Sequence, residues 1–224
     1  MASYAISDVH GCYQTLKELC DSKLKLSGSD KLFVLGDHID NGPASRQVLD
    51  FFNELRGRVK ELVLLRGNHE QRMLQAYRQL TEETETTWLS NGGHEALMSF
   101  EVEKVEEIPS RYLTMIDRMG YFHIEEGYIM VHAGFNFSSD RPFADSIEML
   151  EIRDWQYDER QTHGKTILHG HTPTSFYEIK RNVETGARAI CLDSGCCKKG
   201  EGLGGLTALE LSTKKLYWQE CIDN

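Results

Sequence analysis

Short apolar runs, each ended by a glycine or a carboxylate, alternate along this chain with stretches in which apolar residues recur every three or four positions. Ser3 to Ser7 is the first run and stops at Asp8. Residues 13–20 then carry Leu16, Leu19 and Cys20 on one helical face. Lys31 to Leu35 is a second run, ending at Gly36-Asp37. Pro43 suits the opening of a helix, and Val48, Leu49, Phe51, Phe52 and Leu55 give that helix a buried face. Glu61 to Leu65 is the third run, followed by Met73, Tyr77 and Leu80 at helical spacing. Short apolar runs between turn residues read as buried strands, and the longer periodic stretches as helices. The order β-α-β-α-β-α predicts a parallel sheet with helical crossovers.

Residues 81–127 break this rhythm. They open with the acidic run Thr81 to Thr87, pass through Asn91-Gly92-Gly93, and read as a helical insertion with two short amphipathic helices. The remainder is strand-rich. Tyr128 to Val131 leads into His132, and Thr166 to Leu168 leads into His169. Ala187 to Leu192, Leu206 to Leu211 and Leu216 to Glu220 read as a meander, placing a second sheet on the first. The expectation is one domain over residues 1–224, with the insertion beside the active site.

Composition narrows the partners. Apolar residues make up 40% and charged residues 27% of 224, an ordinary globular balance. A net charge of -10 argues against a general nucleic-acid or membrane-surface binder. The first residues hold no basic region and no long apolar stretch, so the expected location is the cytoplasm and the six cysteines are expected to be reduced. Oligomeric state is not legible.

The residues just past these runs are the ones that carry chemistry. Asp8-Val9-His10-Gly11, Gly36-Asp37-His38-Ile39-Asp40, Gly67-Asn68-His69-Glu70, His132-Ala133-Gly134 and His169-Gly170-His171 all stand where a strand should end. In parallel sheets that is where ligands bind. Strand alternation sends Asp8 and His10 to one side. A carboxylate such as Asp37 has two oxygens and can bridge two ions. Mixed nitrogen and oxygen donors suit manganese, iron or zinc better than calcium or magnesium alone. One Asp-x-His pair means little, but five such motifs in order point to a metal site.

Together these motifs resemble the two-metal centre of the calcineurin-like metallophosphoesterases, and most closely their phosphoprotein phosphatase branch. The resemblance implies an α/β sandwich of two mixed β-sheets flanked by helices. It implies that Asp8, His10 and Asp37 hold one divalent ion, and that Asp37, Asn68, His132 and His171 hold a second, manganese being the first expectation. It also implies phosphoester hydrolysis by a metal-activated hydroxide, with His69 as general acid and Asp40 as its partner.

The chain departs from the branch at one place. The pattern Gly-Asp-x-x-Asp-Arg-Gly has a phosphate-gripping arginine where Asn41 stands here. Arg153, in Glu151-Ile152-Arg153-Asp154-Trp155, resembles the branch's second phosphate arginine. Arg46 is a further candidate to replace the lost charge, and Glu70 is expected to pair with Arg66. Asp40, Arg66 and Glu70 favour a serine/threonine phosphatase acting on a phosphoprotein or small phosphoester. The alternative is a dinucleoside polyphosphate or nucleotide hydrolase, whose bacterial forms tend to lack the aspartate at position 40. Tyr112, Tyr121, Phe122 and Tyr128 would then be candidates to stack a base, against plain core packing. A phosphoprotein-binding pseudoenzyme is the third possibility. Cys196 and Cys197 read as ordinary loop cysteines, although adjacent thiols there would suit oxidation or a thiophilic metal.

Overall fold

The strands gather in two sheets whose carboxyl ends share one edge. The computed structural model describes residues 1–223. The first sheet runs β3 (Glu61–Leu64), β2 (Lys31–Val34), β1 (Ser3–Ile6), β8 (Gly205–Glu210), β9 (Leu216–Glu220). Its first three strands are parallel, and β8 and β9 add antiparallel. The second sheet runs β4 (Phe122–Glu125), β5 (Tyr128–Val131), β6 (Thr166–His169), β7 (Ala189–Cys191). Here β4 is antiparallel to β5, and β5, β6 and β7 are parallel. Two mixed sheets flanked by helices is the architecture expected from the sequence.

Alternation along the strands makes the sandwich. Ala5, Phe33 and Leu209 of the first sheet pack on Met130, Leu168 and Ile190 of the second, with Ile179 and Val183 of α9 (Phe176–Thr185) closing one side. Their neighbours Tyr4, Ile6, Leu32, Val34 and Ala208 face the other way. They meet α1 (Tyr13–Glu18), α2 (Ser45–Arg56) and α3 (Asn68–Gln79). The outer face of the second sheet buries Ile129, Val131 and Ile167 against Phe135 and Met149. Strands covered on both faces read as near-continuous apolar runs.

Two expectations fail. The segment 81–127 is helical only in part: α4 (Glu82–Trp88), α5 (His94–Phe100) and α6 (Ser110–Asp117) are followed by β4, inside the expected insertion. The four residues of β4 alternate weakly and gain their partner only from β5. The meander is also divided. β7 joins the second sheet beside β6, whereas β8 and β9 join the first. The glycine-rich stretch between Leu192 and Gly205 lets the chain change sheets there. Helix α9, which supplies the crossover from β6 to β7, has no counterpart in the sequence expectation. Two single-turn helices, α7 (Glu148–Glu151) and α8 (Glu159–Thr162), lie between β5 and β6. No helix among the described residues is long and apolar enough to cross a membrane.

Candidate metal centre

Each motif lies just past a strand. Asp8 follows β1, Asp37 follows β2, Asn68 opens α3 after β3, His132 follows β5 and His171 follows β6. The turns that carry them are tight. Among the described residues, six of the eleven non-glycine residues with positive φ lie in or beside these motifs: Asp8, His10, Asp37, Asp40, Asn41 and His171. Aspartate, asparagine and histidine tolerate this region best, and clusters of such residues mark functional sites. Gly36 has φ +103°, and a Cβ there would come 2.7 Å from His132 Nδ1, so only glycine lets the two sheets close here.

Asp37 is the hub. Its Oδ2 lies 3.4 Å from His132 Nε2, 3.7 Å from His10 Nε2 and 3.9 Å from His69 Nε2. Two sets of ligand atoms lie within 4.8 Å of one another: His10, Asp37 and His69, and Asp37, His132 and His171. Asp8 belongs to neither set. Its carboxylate accepts from the His171 N–H at 3.0 and 3.2 Å and from Ser7 Oγ. Glu70 holds the Asp37 turn from beneath, accepting from the N–H groups of Asp37, His38, Ile39 and Gly67 at 2.8–3.2 Å. It does not pair with Arg66, whose guanidinium instead reaches Gln71 and the Asp117 carbonyl.

The donor set fits a cation. His132 Nδ1 faces the Leu35 carbonyl at 3.0 Å and so carries the proton, leaving the Nε2 lone pair free. That lone pair looks onto Asp37 Oδ2 and, at 3.0 Å, onto the Asn68 Oδ1 position. His171 Nε2 is buried and has no hydrogen-bond partner. The lone pairs of His132 Nε2 and His171 Nε2 and the Asp37 carboxylate converge here, an arrangement that a positive ion satisfies. Asn68 sits between two neighbours. With its NH2 inward it donates to His132 and Asp37, and its oxygen accepts from Arg72 at 2.6 and 2.9 Å. With its oxygen inward it is a metal donor, and the Arg72 guanidinium must give way.

Electrostatics agree. Burial, reinforced by His132, lowers the His171 pKa to about 3, and burial lowers His10 to about 4, so both imidazoles are neutral ligands. Burial alone would raise Asp37, but His132, His69 and His10 around it outweigh that and keep it ionised. Burial raises Asp8 well above the usual range, and the charges of Asp193 and Asp37 add to it. Asp193 is itself pushed up to about 7, chiefly by burial. Sequence reasoning missed Asp193. The signal was available: it stands two residues past β7, as Asp8 does past β1.

His69 Nδ1 is 2.9 Å from Asp40 Oδ2, and Trp88 Nε1 donates to both Asp40 oxygens at 3.2 and 3.1 Å. Burial by itself would lower the His69 pKa, but the Asp37 charge and the Asp40 hydrogen bond outweigh it and lift it to about 9. Burial pushes Asp40 up to about 7, against the pull of His69 and Trp88. A protonated His69 on a charged Asp40 is the form these bonds stabilise.

The three expected phosphate residues part ways. Arg153 is exposed, and its Nη1 donates to Thr172 Oγ1 at 3.0 Å, beside His171. Asn41 lies on the His10 ring, its amide 3.1 Å from Nδ1. Arg46 turns away, 3.9 Å from Asp50 and 3.9 Å from Glu101, because helix α2 points it at those acids. Arg72, absent from the sequence candidates, reaches the site from the second turn of α3 and pairs with Glu151 at 2.8 and 3.1 Å. Tyr112 is buried in the core and cannot stack a base, and Phe122 is half-buried on Phe135 and Phe143. A different cleft, of about 590 Å³, opens beside Arg153 and is lined by Phe137, Trp155 and Tyr157.

The profile of the calcineurin-like phosphoesterase family matches residues 1–199. A symmetrical bis(5'-nucleosyl)-tetraphosphatase from Nitrosospira multiformis is 28% identical over 184 residues, which cover 76% of this chain and 61% of that protein. One from Aromatoleum aromaticum is 34% identical over 137 residues, 60% of this chain and 44% of that protein. The chain thus matches only part of the length of these relatives. Among solved structures, one described provisionally as a diadenosine tetraphosphatase superposes with a TM-score of 0.69 at 18% identity, covering 97% of this chain and 92% of that one. A serine/threonine phosphatase from Saccharomyces cerevisiae gives 0.67 at 14%, covering 100% and 81%. These two likenesses speak for the fold alone.

Proposed function

We propose, from the premise that this chain belongs to the calcineurin-like phosphoesterase family, that it hydrolyses a dinucleoside polyphosphate. The motifs alone rank a serine/threonine phosphatase first. The relatives named as symmetrical bis(5'-nucleosyl)-tetraphosphatases support the opposite order. The observation that carries the reading is the aromatic cleft beside Arg153. Its volume suits a nucleoside, and half-buried aromatic rings offer a base a stacking face.

In this reading Asp8, His10, Asp37, Asn68, His132 and His171 would hold two divalent ions, manganese being the first candidate. Two ions so placed would acidify a water and offset charge on the phosphoryl oxygens. Arg153, beside His171, and Arg72, beside Asn68, grip the phosphate chain in place of the charge that Asn41 lacks. Asp40 fixes the His69 ring by its Nδ1–H, which leaves Nε2–H, 3.9 Å from Asp37 Oδ2, to donate to the leaving oxygen. Water adds to one phosphorus of the central anhydride, the bridging P–O bond breaks, and two nucleoside diphosphates leave.

A second reading rests on the Asp40–His69 pair. A nucleoside diphosphate departs without much help, whereas the alkoxide of a phosphoserine needs a proton. A well-held general acid therefore supports a phosphomonoester substrate. Turnover of diadenosine tetraphosphate, a phosphoserine peptide and p-nitrophenyl phosphate by manganese-loaded protein separates the two. The proposal expects the dinucleotide to have the highest kcat/KM, and Phe137→Ala to raise its KM about fivefold, the low end of one lost stacking contact. A phosphopeptide preferred over the dinucleotide, with no effect of Phe137→Ala, would sink it.

A further inference from the structure

Outside the metal centre a second group of ligand-type side chains converges. Cys12, Cys196 and Cys221 bring their sulfurs within 4.8 Å of one another. Cys12 Sγ is 3.2 Å from Cys197 Sγ and 3.8 Å from Cys221 Sγ. The four residues come from three separate places: the N-cap of α1, the glycine-rich loop after β7, and the end of β9. Cys12 and Cys196 are buried, and Cys197 and Cys221 are half-buried. Cys197 also donates to the His10 carbonyl at 3.3 Å, so the group touches the loop that carries a ligand of the metal centre.

We infer that Cys12, Cys196 and Cys221 form a three-thiolate site for one zinc-class ion, distinct from the dinuclear centre, with Cys197 beside Cys12 as the nearest candidate for a fourth donor. A tetrahedral ion with bonds of about 2.3 Å to sulfur sets its ligand sulfurs about 3.8 Å apart. The Cys12–Cys221 separation of 3.8 Å matches that edge, and Cys12, Cys196 and Cys221 all lie within 4.8 Å of one another. A disulfide would join sulfurs in pairs with specific geometry. Here Cys12 has several sulfur neighbours at once, which is the order of a coordination shell. Thiolates are also the donors that select soft and borderline ions over the manganese or magnesium that oxygen ligands accept.

Loading forms three metal–sulfur bonds and breaks three S–H bonds, whose protons go to solvent. Three thiolates and one divalent ion leave one negative charge. Lys198 and Lys199 line the same cleft and can offset it. The ion would join the glycine-rich loop and the C-terminal strand to the turn that holds His10.

Cobalt(II) is the probe, because a cobalt–thiolate bond gives an intense near-ultraviolet charge-transfer band that nitrogen and oxygen ligands do not. Reduced wild-type protein, stripped by chelator and refilled with cobalt, is expected to show the band. Asp37→Asn with His132→Ala, which disables the dinuclear centre, is expected to keep it. Cys196→Ser with Cys221→Ser is expected to lose it, together with one zinc ion per chain in elemental analysis. The wild-type spectrum needs no variant to fold. Cobalt protein without a thiolate band overturns the inference. So does a Cys12–Cys197 disulfide that forms in air while zinc is in excess, since it would mark a redox pair instead.

Discussion

The two donor clusters share a loop and differ in almost everything else. His10 belongs to one and Cys12, two residues on, to the other. The first draws imidazoles, carboxylates and an amide around Asp37; the second draws only sulfur. Neighbouring sites of unlike softness can sort two kinds of ion without competing. They also differ in how the chain builds them. The first is made at the ends of parallel strands, whose direction fixes where each motif lands. The second is made outside the strands, at the N-cap of α1, in the loop after β7 and just past β9.

The sharpest way to break this comparison is Asp37→Asn. Losing an outer-shell partner of a metal ligand costs roughly 10–100-fold, so losing the shared ligand itself should lower kcat/KM by more than about a hundredfold. Elemental analysis should find the dinuclear ions lost and the thiolate-bound ion kept. Loss of both would show the sites to be one unit.

His69→Ala comes next. A general acid is worth about 10²–10⁴-fold. That loss is expected in full on a phosphoserine peptide and should be smaller on diadenosine tetraphosphate, whose leaving group needs less help. Equal losses on both substrates, in parallel rate measurements, would remove the proton-donor role.

Arg72→Ala should weaken substrate binding. A charged hydrogen bond is worth about 1.5–3 kcal/mol, or roughly ten- to a hundredfold in KM, with cobalt absorption of the sulfur site unchanged. An unaltered KM would return Arg72 to a purely structural role with Glu151.

The smallest effect serves as a control far from both clusters. Burial pulls the Asp30 carboxyl upward, but hydrogen bonds from Ala2 N–H (2.7 Å), Ser27 N–H (3.0 Å) and Ser27 Oγ (2.7 Å) hold it below the ordinary value. A depressed carboxyl stabilises the fold above its unfolded pKa of about 3.9 and loses that contribution as pH falls through the folded value. Asp30→Asn should therefore flatten the acid limb of a thermal-denaturation profile below about pH 4 and leave metal content alone. An unchanged acid limb would mean these bonds carry no linkage.

The sequence by itself determined the first three strands, the helices between them and the motif residues that meet at Asp37. Period-two and period-3.6 patterns are local, and a ligand two residues past a strand end is readable without neighbours. The His69–Asp40 pairing was legible too, through the resemblance. Only the tertiary structure decided the rest. β4 is a strand because β5 is beside it, and β7 leaves β8 because the second sheet offers a parallel partner. Glu70 serves the Asp37 turn and not Arg66, because α3 aims it under that loop. Arg72 and Asp193 face the centre, Arg46 faces Asp50 and Glu101, and Cys12 and Cys221 meet across more than two hundred residues. Side chains far apart in sequence are brought together by sheet order and by the packing of two sheets face to face, and no local pattern encodes that distance.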